Sequence, residues 1–293
     1  DPAQGRTLMD VITKDSDVST ATVASQVAST LPTLVTVSLT SGQDTITPQA
    51  NAAESISAAL GGSAPSLGRT DQIDGGSAQD TITVDMDGSF LLGFSSGYMR
   101  DVEIVNLAAT SSSVVGKTFN FTGTSGVETI NIGAKNAVIN LSNINDVSPT
   151  VNVSGQTTGT FEIGFASGLI SGTGSAMTVG FTETGSIGSE VSMIANGITD
   201  LTVNSFGGSN AINLGNSQND LKSISFGGTG NLYISDIPST VSGVEATGFG
   251  GNLTLTVDTD TNTTLLASGN TVNGGAGHDA LRIMGSGIAA ATT

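Results

Sequence analysis

The chain has no cysteine and no tryptophan among its 293 residues, and it has only two tyrosines. Without cysteine the protein forms no disulfide and offers no thiolate to a metal, so packing and oxygen-bound ions must stabilise the fold. No apolar run approaches the roughly 20 residues that a membrane-spanning helix needs. These absences predict a chain with no transmembrane segment and no thiolate metal site.

Basic residues are also scarce. Eight Lys and Arg face 25 Asp and Glu, which gives a formal net charge of -17. Binding to nucleic acid needs clustered basic side chains that neutralise phosphates, so we expect no nucleic-acid partner. The excess of carboxylates favours divalent cations as partners, although the same charge also keeps a protein soluble by repulsion.

What the chain has in abundance is glycine, with 40 residues, and short runs in which apolar and polar residues alternate. Period-two alternation is typical of strands with one buried face. The apolar members of these runs are Val35, Val37 and Leu39; Ile82, Val84 and Met86; Phe119 and Phe121; Phe161, Ile163 and Phe165; and Leu253, Leu255 and Val257. We therefore predict a mainly β protein.

Several of these strands resemble one another in sequence. Residues 102–107 read VEIVNL and residues 127–132 read VETINI, and shorter relatives with Asn beside apolar residues occur at 137–141, 150–153 and 211–214. Irregular repetition of short strands with few large aromatic residues favours a parallel β-solenoid (β-helix), in which each turn packs on its neighbours. A β-sandwich is the alternative, because strands spaced by about 8–12 residues also fit it.

Two segments have helical patterns instead. Residues 1–33 predict one short amphipathic helix, capped by Asp and Ser side chains and ended by Pro32. A second short helix is predicted from Ala52 to Leu60, where two glycines would stop it.

One motif near the C-terminal end has a specific spacing. Residues 274–282 read GGAGHDALR, which matches G-G-x-G-x-D-x-U-x, where U is a large apolar residue. In that nonapeptide the glycines allow a tight turn with carbonyl oxygens directed inward, and the Asp carboxylate completes an oxygen cage suited to calcium. Gly275, Gly277 and Asp279 are therefore candidate Ca2+ ligands. The other interpretation is a glycine turn that leads into a strand.

Weaker copies of the motif occur elsewhere. Residues 75–82 (GGSAQDTI) keep two glycines and the acid, so Gly76 and Asp80 join the candidate ligands. Residues 42–46 (GQDTI) and 123–130 (GTSGVETI) keep less of the pattern, and they add Asp44 and Glu128. These copies are isolated, so each half-site needs oxygen ligands from another strand. The candidates for that role are Asp74, Asp85, Asp87 and Asp101.

No catalytic constellation stands out. The single histidine, His278, occupies a variable position of the nonapeptide, and we find no phosphate loop, zinc motif or nucleophile elbow. A glycosidase needs only two carboxylates, so acids such as Glu162 and Glu183 leave a polysaccharide hydrolase or lyase as an alternative. We predict that the chain is not an enzyme.

These patterns divide the chain into three parts: a helical segment or linker at 1–33, a β-solenoid-like domain at 34–273 with a candidate subdivision near residue 150, and the start of a calcium-binding repeat at 274–293.

The nonapeptide at 274–282, its degraded copy at 75–82 and the VEIVNL-like strands resemble secreted bacterial surface-layer (S-layer) proteins of the calcium-binding repeats-in-toxin (RTX) type. The resemblance extends in composition over about residues 34–293, but only the nonapeptide is specific to the family. It implies secretion by a one-step (type I) system, location on the cell surface of a Gram-negative bacterium, Ca2+ as cofactor, self-association into a lattice, and attachment to lipopolysaccharide through regions outside these residues.

The leading expectation is therefore a structural protein, the protomer of a calcium-dependent two-dimensional lattice. The first alternative is a secreted adhesin of the same type, with the β-solenoid as its stalk. The second is a β-helix polysaccharide lyase.

Overall fold

The computed structural model describes residues 32–109, 116–134, 137–170, 174–215, 220–260, 262–267 and 270–286. In these ranges the protein is a β-solenoid of parallel strands without any helix, and so no helix there is long and apolar enough to cross a bilayer. Residues 1–31 of the helix predicted for residues 1–33 lie outside the described ranges, and Thr33 begins the first strand.

Eleven strands form the long sheet: β1 (Thr33–Ser38), β3 (Ala52–Ala59), β5 (Thr81–Asp85), β7 (Ile104–Ala108), β10 (Thr129–Gly133), β12 (Thr150–Ser154), β14 (Ala176–Thr182), β16 (Asp200–Phe206), β18 (Ser223–Gly228), β20 (Gly243–Glu245) and β22 (Thr271–Asn273). They lie in chain order, so the sheet continues across residue 150. At about 4.8 Å per strand it is about 48 Å long.

The remaining strands form two further sheets. The second sheet has eight strands: β8 (Lys117–Asn120), β11 (Ile139–Ile144), β13 (Thr160–Phe165), β15 (Val191–Ile194), β17 (Ser209–Asn213), β19 (Asn231–Ile234), β21 (Leu253–Asp258) and β23 (Ala280–Met284). The third has four: β2 (Thr45–Ile46), β4 (Gln72–Asp74), β6 (Tyr98–Arg100) and β9 (Thr124–Ser125). Neighbouring strands in all three sheets pair in parallel, whereas the sandwich alternative requires antiparallel sheets. The solenoid prediction is confirmed.

The core is a set of apolar files that run along the solenoid axis. Ile82 pairs with Ile56 on one side and Val105 on the other, and all three side chains are buried. Phenylalanines fill one stretch of the core, where the ring centroid of Phe119 lies 5.4 Å from that of Phe90 and 4.9 Å from that of Phe121. Most residues that period-two alternation predicted to point inward are buried, whereas Val35, Val37 and Phe165 are half-buried.

The predicted helix from Ala52 to Leu60 is wrong. Residues Ala52–Ala59 form β3, in which buried and more exposed residues alternate strictly. Alanine favours helices locally, but β3 lies between β1 and β5 and pairs with both. Burial of Ile56 and the backbone hydrogen bonds to two neighbours outweigh that local preference.

Candidate metal centre: an acidic corner of the solenoid

Four acids lie in one file where the long sheet begins on four successive turns. Strands β3, β5, β7 and β10 pair in register, and the residue at the same position of each turn is acidic. We call this file the acidic corner; its members are Glu54, Asp80, Glu103 and Glu128. Glu54 and Asp80 are buried, at 1% and 0% exposed, whereas Glu103 is half-buried and Glu128 is exposed.

The carboxylates of Asp80 and Glu103 tie neighbouring turns together, and that of Glu54 makes a local bond. The backbone N–H of Glu54 donates to Oδ1 of Asp80 at 2.5 Å, and the N–H of Asp80 donates to Oε2 of Glu103 at 2.6 Å. Oε1 of Glu54 accepts the N–H of Gln49 at 3.1 Å. The acids therefore accept hydrogen bonds from backbone N–H groups that would otherwise lack partners where the strands begin.

The other oxygens of the two innermost acids have no such role. Among the residues described, no N–H or hydroxyl group donates a hydrogen bond to Oε2 of Glu54 or Oδ2 of Asp80, and both oxygens are buried. A buried carboxylate oxygen without a donor is costly, so this pair needs a proton or a cation. Burial raises the pKa of Asp80 to about 7, together with a side-chain hydrogen bond to Glu54, which requires a proton on one of the two carboxyls, and with the charges of Glu54 and Glu103.

A glycine makes room for a further oxygen beside the pair. A Cβ on Gly75 would lie 2.1 Å from the carbonyl oxygen of Asp101 and 2.6 Å from Oδ2 of Asp80. Both oxygens therefore converge over the Cα atom of Gly75, where no side chain can fit. This explains the first glycine of the degraded motif, and it brings a backbone carbonyl close to the unpartnered carboxylate oxygen.

The complete nonapeptide has a similar turn but a different environment. Oδ1 of Asp279 accepts the N–H of Leu253 from the preceding turn at 3.0 Å, as Asp80 does for Glu54. Asp279 lies on the last turn that the structure describes, and it is exposed there. Cβ atoms on Gly275 and Gly277 would lie 2.3 Å and 2.1 Å from carbonyl oxygens of the preceding turn, so close packing between turns requires both glycines.

The other sequence-predicted acids lie apart from the buried pair. Asp44 accepts the N–H and the hydroxyl of Thr40, and Asp74 pairs with Arg100, whose Nη2 lies 2.5 Å from Oδ2. Gly76 adopts a φ of 92°, which glycine tolerates. Asp85 ends β5 and Asp87 follows it, so the length of a strand, about 16 Å, separates them from Asp80. Glu128 shares the file with Asp80, two turns away.

Glu54 and Glu103 were not among the ligands predicted from the sequence. The repeated VE at residues 102–103 and 127–128 was a usable signal, because it places a carboxylate just before each strand. Glu54 was missed because the wrong helix prediction placed it on a helix instead of a strand.

The described residues contain no group of three or more His, Cys, Asp or Glu side chains arranged to hold a metal. A metal here would therefore use the two buried carboxylates, backbone carbonyls and water. Such an all-oxygen set suits calcium, whose coordination is flexible and tolerates carbonyl and water ligands.

Comparison with known proteins gave no match, whether against protein-family models, curated proteins or solved structures.

Proposed function

We propose that the chain is a structural protein, the protomer of a calcium-dependent surface-layer lattice on a Gram-negative cell. The observation that carries the proposal is a strongly acidic parallel β-solenoid, with a net charge of -17, that contains the complete calcium-type turn of Asp279. Secretion, location at the cell surface and attachment to lipopolysaccharide through other regions are parts of the same proposal.

Charge explains why calcium would control assembly. Copies of a strongly acidic protein repel one another, and salt at physiological concentration screens that repulsion only beyond about 8 Å. A divalent cation held by an exposed carboxylate has ligand positions left over, which a carboxylate of a second copy can fill. Calcium would then turn repulsive faces into contacts.

An enzyme remains the less favoured function. Glu162 is exposed on β13 and Glu183 follows β14 with a φ of 50°. A glycosidase needs two carboxylates that face each other across a groove, and these placements do not support such a pair. The proposal therefore assigns the chain no catalytic residues.

Light scattering and electron microscopy test the lattice. Protein treated with chelator should scatter as monomers, and millimolar CaCl2 should produce sheets, while NaCl at matched ionic strength should not. Asp279→Asn should raise the calcium concentration needed for assembly. Identical particle size with chelator and with calcium would refute the lattice.

The same micrographs distinguish the adhesin. The sequence feature that would favour an adhesin is an exposed aromatic loop, and its best candidate spans residues 90–99. There Phe90 and Phe94 are buried, whereas Leu91 and Leu92 are each 63% exposed. The rings thus belong to the core, and isolated rods in the presence of calcium would be the evidence for an adhesin.

A further inference from the structure

We propose that Glu54 and Asp80 hold one divalent cation, calcium by its ligand chemistry, inside the acidic corner, where it ties two turns of the same molecule together. This inference rests on the calcium dependence of the proposed function, but not on the lattice. Glu54 comes from outside every nonapeptide-like segment, so the site is not one that the motif by itself describes.

The ligands are the oxygens that the fold leaves without donors. Oε2 of Glu54 and Oδ2 of Asp80 are buried and unpartnered, and the remaining oxygen of each carboxylate is held by a backbone N–H. The hydrogen bonds therefore fix both carboxylates in place while one oxygen of each stays available. The carbonyl oxygen of Asp101, which lies with Oδ2 of Asp80 over Gly75, is a further candidate ligand, and Glu103 adds negative charge from the next turn.

Burial decides what the ion does. Glu54 and Asp80 are at most 1% exposed, so no carboxylate of a second copy can reach an ion between them. A cation here stabilises one molecule by neutralising two carboxylates on adjacent turns.

The choice between cations follows from the ligand set. The ligands are hard oxygens without nitrogen or sulfur, which excludes a preference for zinc or copper. Magnesium demands a near-ideal octahedron at about 2.1 Å, whereas calcium accepts irregular sets of six to eight oxygens at about 2.3–2.6 Å. A site made of two fixed carboxylates from different turns and a carbonyl fits calcium better.

Calcium titration of chelator-treated protein tests the site, by isothermal titration calorimetry for stoichiometry and by thermal unfolding for stabilisation. The melting temperature of the unmodified chain should rise by about 5–10 °C at a hundredfold excess of calcium over its Kd, and less with magnesium. Glu54→Gln should lose one bound calcium and most of that rise. Glu162→Gln, which removes the same charge from an exposed position, should keep both.

The Glu54→Gln variant is expected to fold without calcium. A Gln amide at position 54 can donate to Oδ2 of Asp80 and removes one of two adjacent buried charges, so the calcium-free melting temperature should equal or exceed that of the unmodified chain. Asp80→Asn provides a second variant of the same kind, with the same loss of one calcium.

Two results would overturn the proposal. One is an unmodified chain whose calcium-free and calcium-saturated melting temperatures agree. The other is undiminished calcium stoichiometry and affinity in both Glu54→Gln and Asp80→Asn. Asp279→Asn distinguishes this site from the lattice, because it should impair assembly and leave the thermal shift intact. Calcium binding by monomers that never form sheets would refute the lattice and support the internal site.

Discussion

A ladder of asparagine amides on the outer face of the long sheet gives a test of how its turns hold together. Asn106, Asn131 and Asn152 lie in register on β7, β10 and β12. The side-chain amide of Asn131 donates to Oδ1 of Asn106 at 2.9 Å, and its own Oδ1 accepts the amide of Asn152 at 2.9 Å. Asn131→Ala therefore removes two hydrogen bonds between turns.

The expected cost is about 2 kcal/mol, since each hydrogen bond contributes roughly 0.5–1.5 kcal/mol net. All three side chains are half-buried, so water can reach the amides that lose a partner and no further burial penalty arises. Asn204 on β16 is the matched control, because its register partners are Gly180 and Gly227, which have no side chain to pair with. Asn204→Ala should cost less than about 0.5 kcal/mol.

Urea unfolding in the presence of chelator, monitored by circular dichroism, measures the free energy of unfolding of both variants. A stacked solenoid need not unfold in two states, so the comparison is valid only where the slope m is unchanged from the unmodified chain. The double variant Asn131→Ala/Asn152→Ala should show a coupling energy of about 1 kcal/mol. If Asn131→Ala shifts the urea midpoint no more than Asn204→Ala, the ladder does not stabilise the stack.

Three further predictions concern the core, the turns and pH. Phe119→Ala should lower the free energy of unfolding by about 3–5 kcal/mol in the same urea assay, because the ring is fully buried against two others. Gly228→Ala should lower the melting temperature clearly more than Gly188→Ala. Both glycines have positive φ, but a Cβ on Gly228 would lie 2.1 Å from a carbonyl oxygen, whereas Gly188 has open space around it. Equal melting temperatures would contradict this. The Ser223 hydroxyl lowers the pKa of Asp200, so the carboxylate stabilises the fold above its unfolded pKa and this stability is lost as the pH falls below about 4. Asp200→Asn should make the melting temperature less dependent on pH in that range.

Local patterns in the sequence predicted the strands but not their partners. Ile82, Val84, Phe119 and Phe161 were expected to point inward from the period of two, and all four are buried. The segment from Ala52 to Ala59 failed because alanine and serine are compatible with either structure, and only the neighbouring strands decide between them.

The acidic corner was harder to predict, because the turns of the solenoid differ in length. Glu54 and Asp80 are 26 residues apart, whereas Asp80 and Glu103 are 23 apart. No fixed period in the sequence therefore aligns these acids. The degraded motif identified Asp80, and its environment became evident only with the register of the strands.

The sequence by itself determined a mainly β chain with one-sided burial and glycine turns, because alternation of side chains and the freedom of glycine are local properties. The tertiary structure alone decided which acids meet. Parallel pairing brings together residues that are distant along the chain, and burial then removes water from two adjacent carboxylates, so that their unpartnered oxygens become the most distinctive chemical feature of the fold.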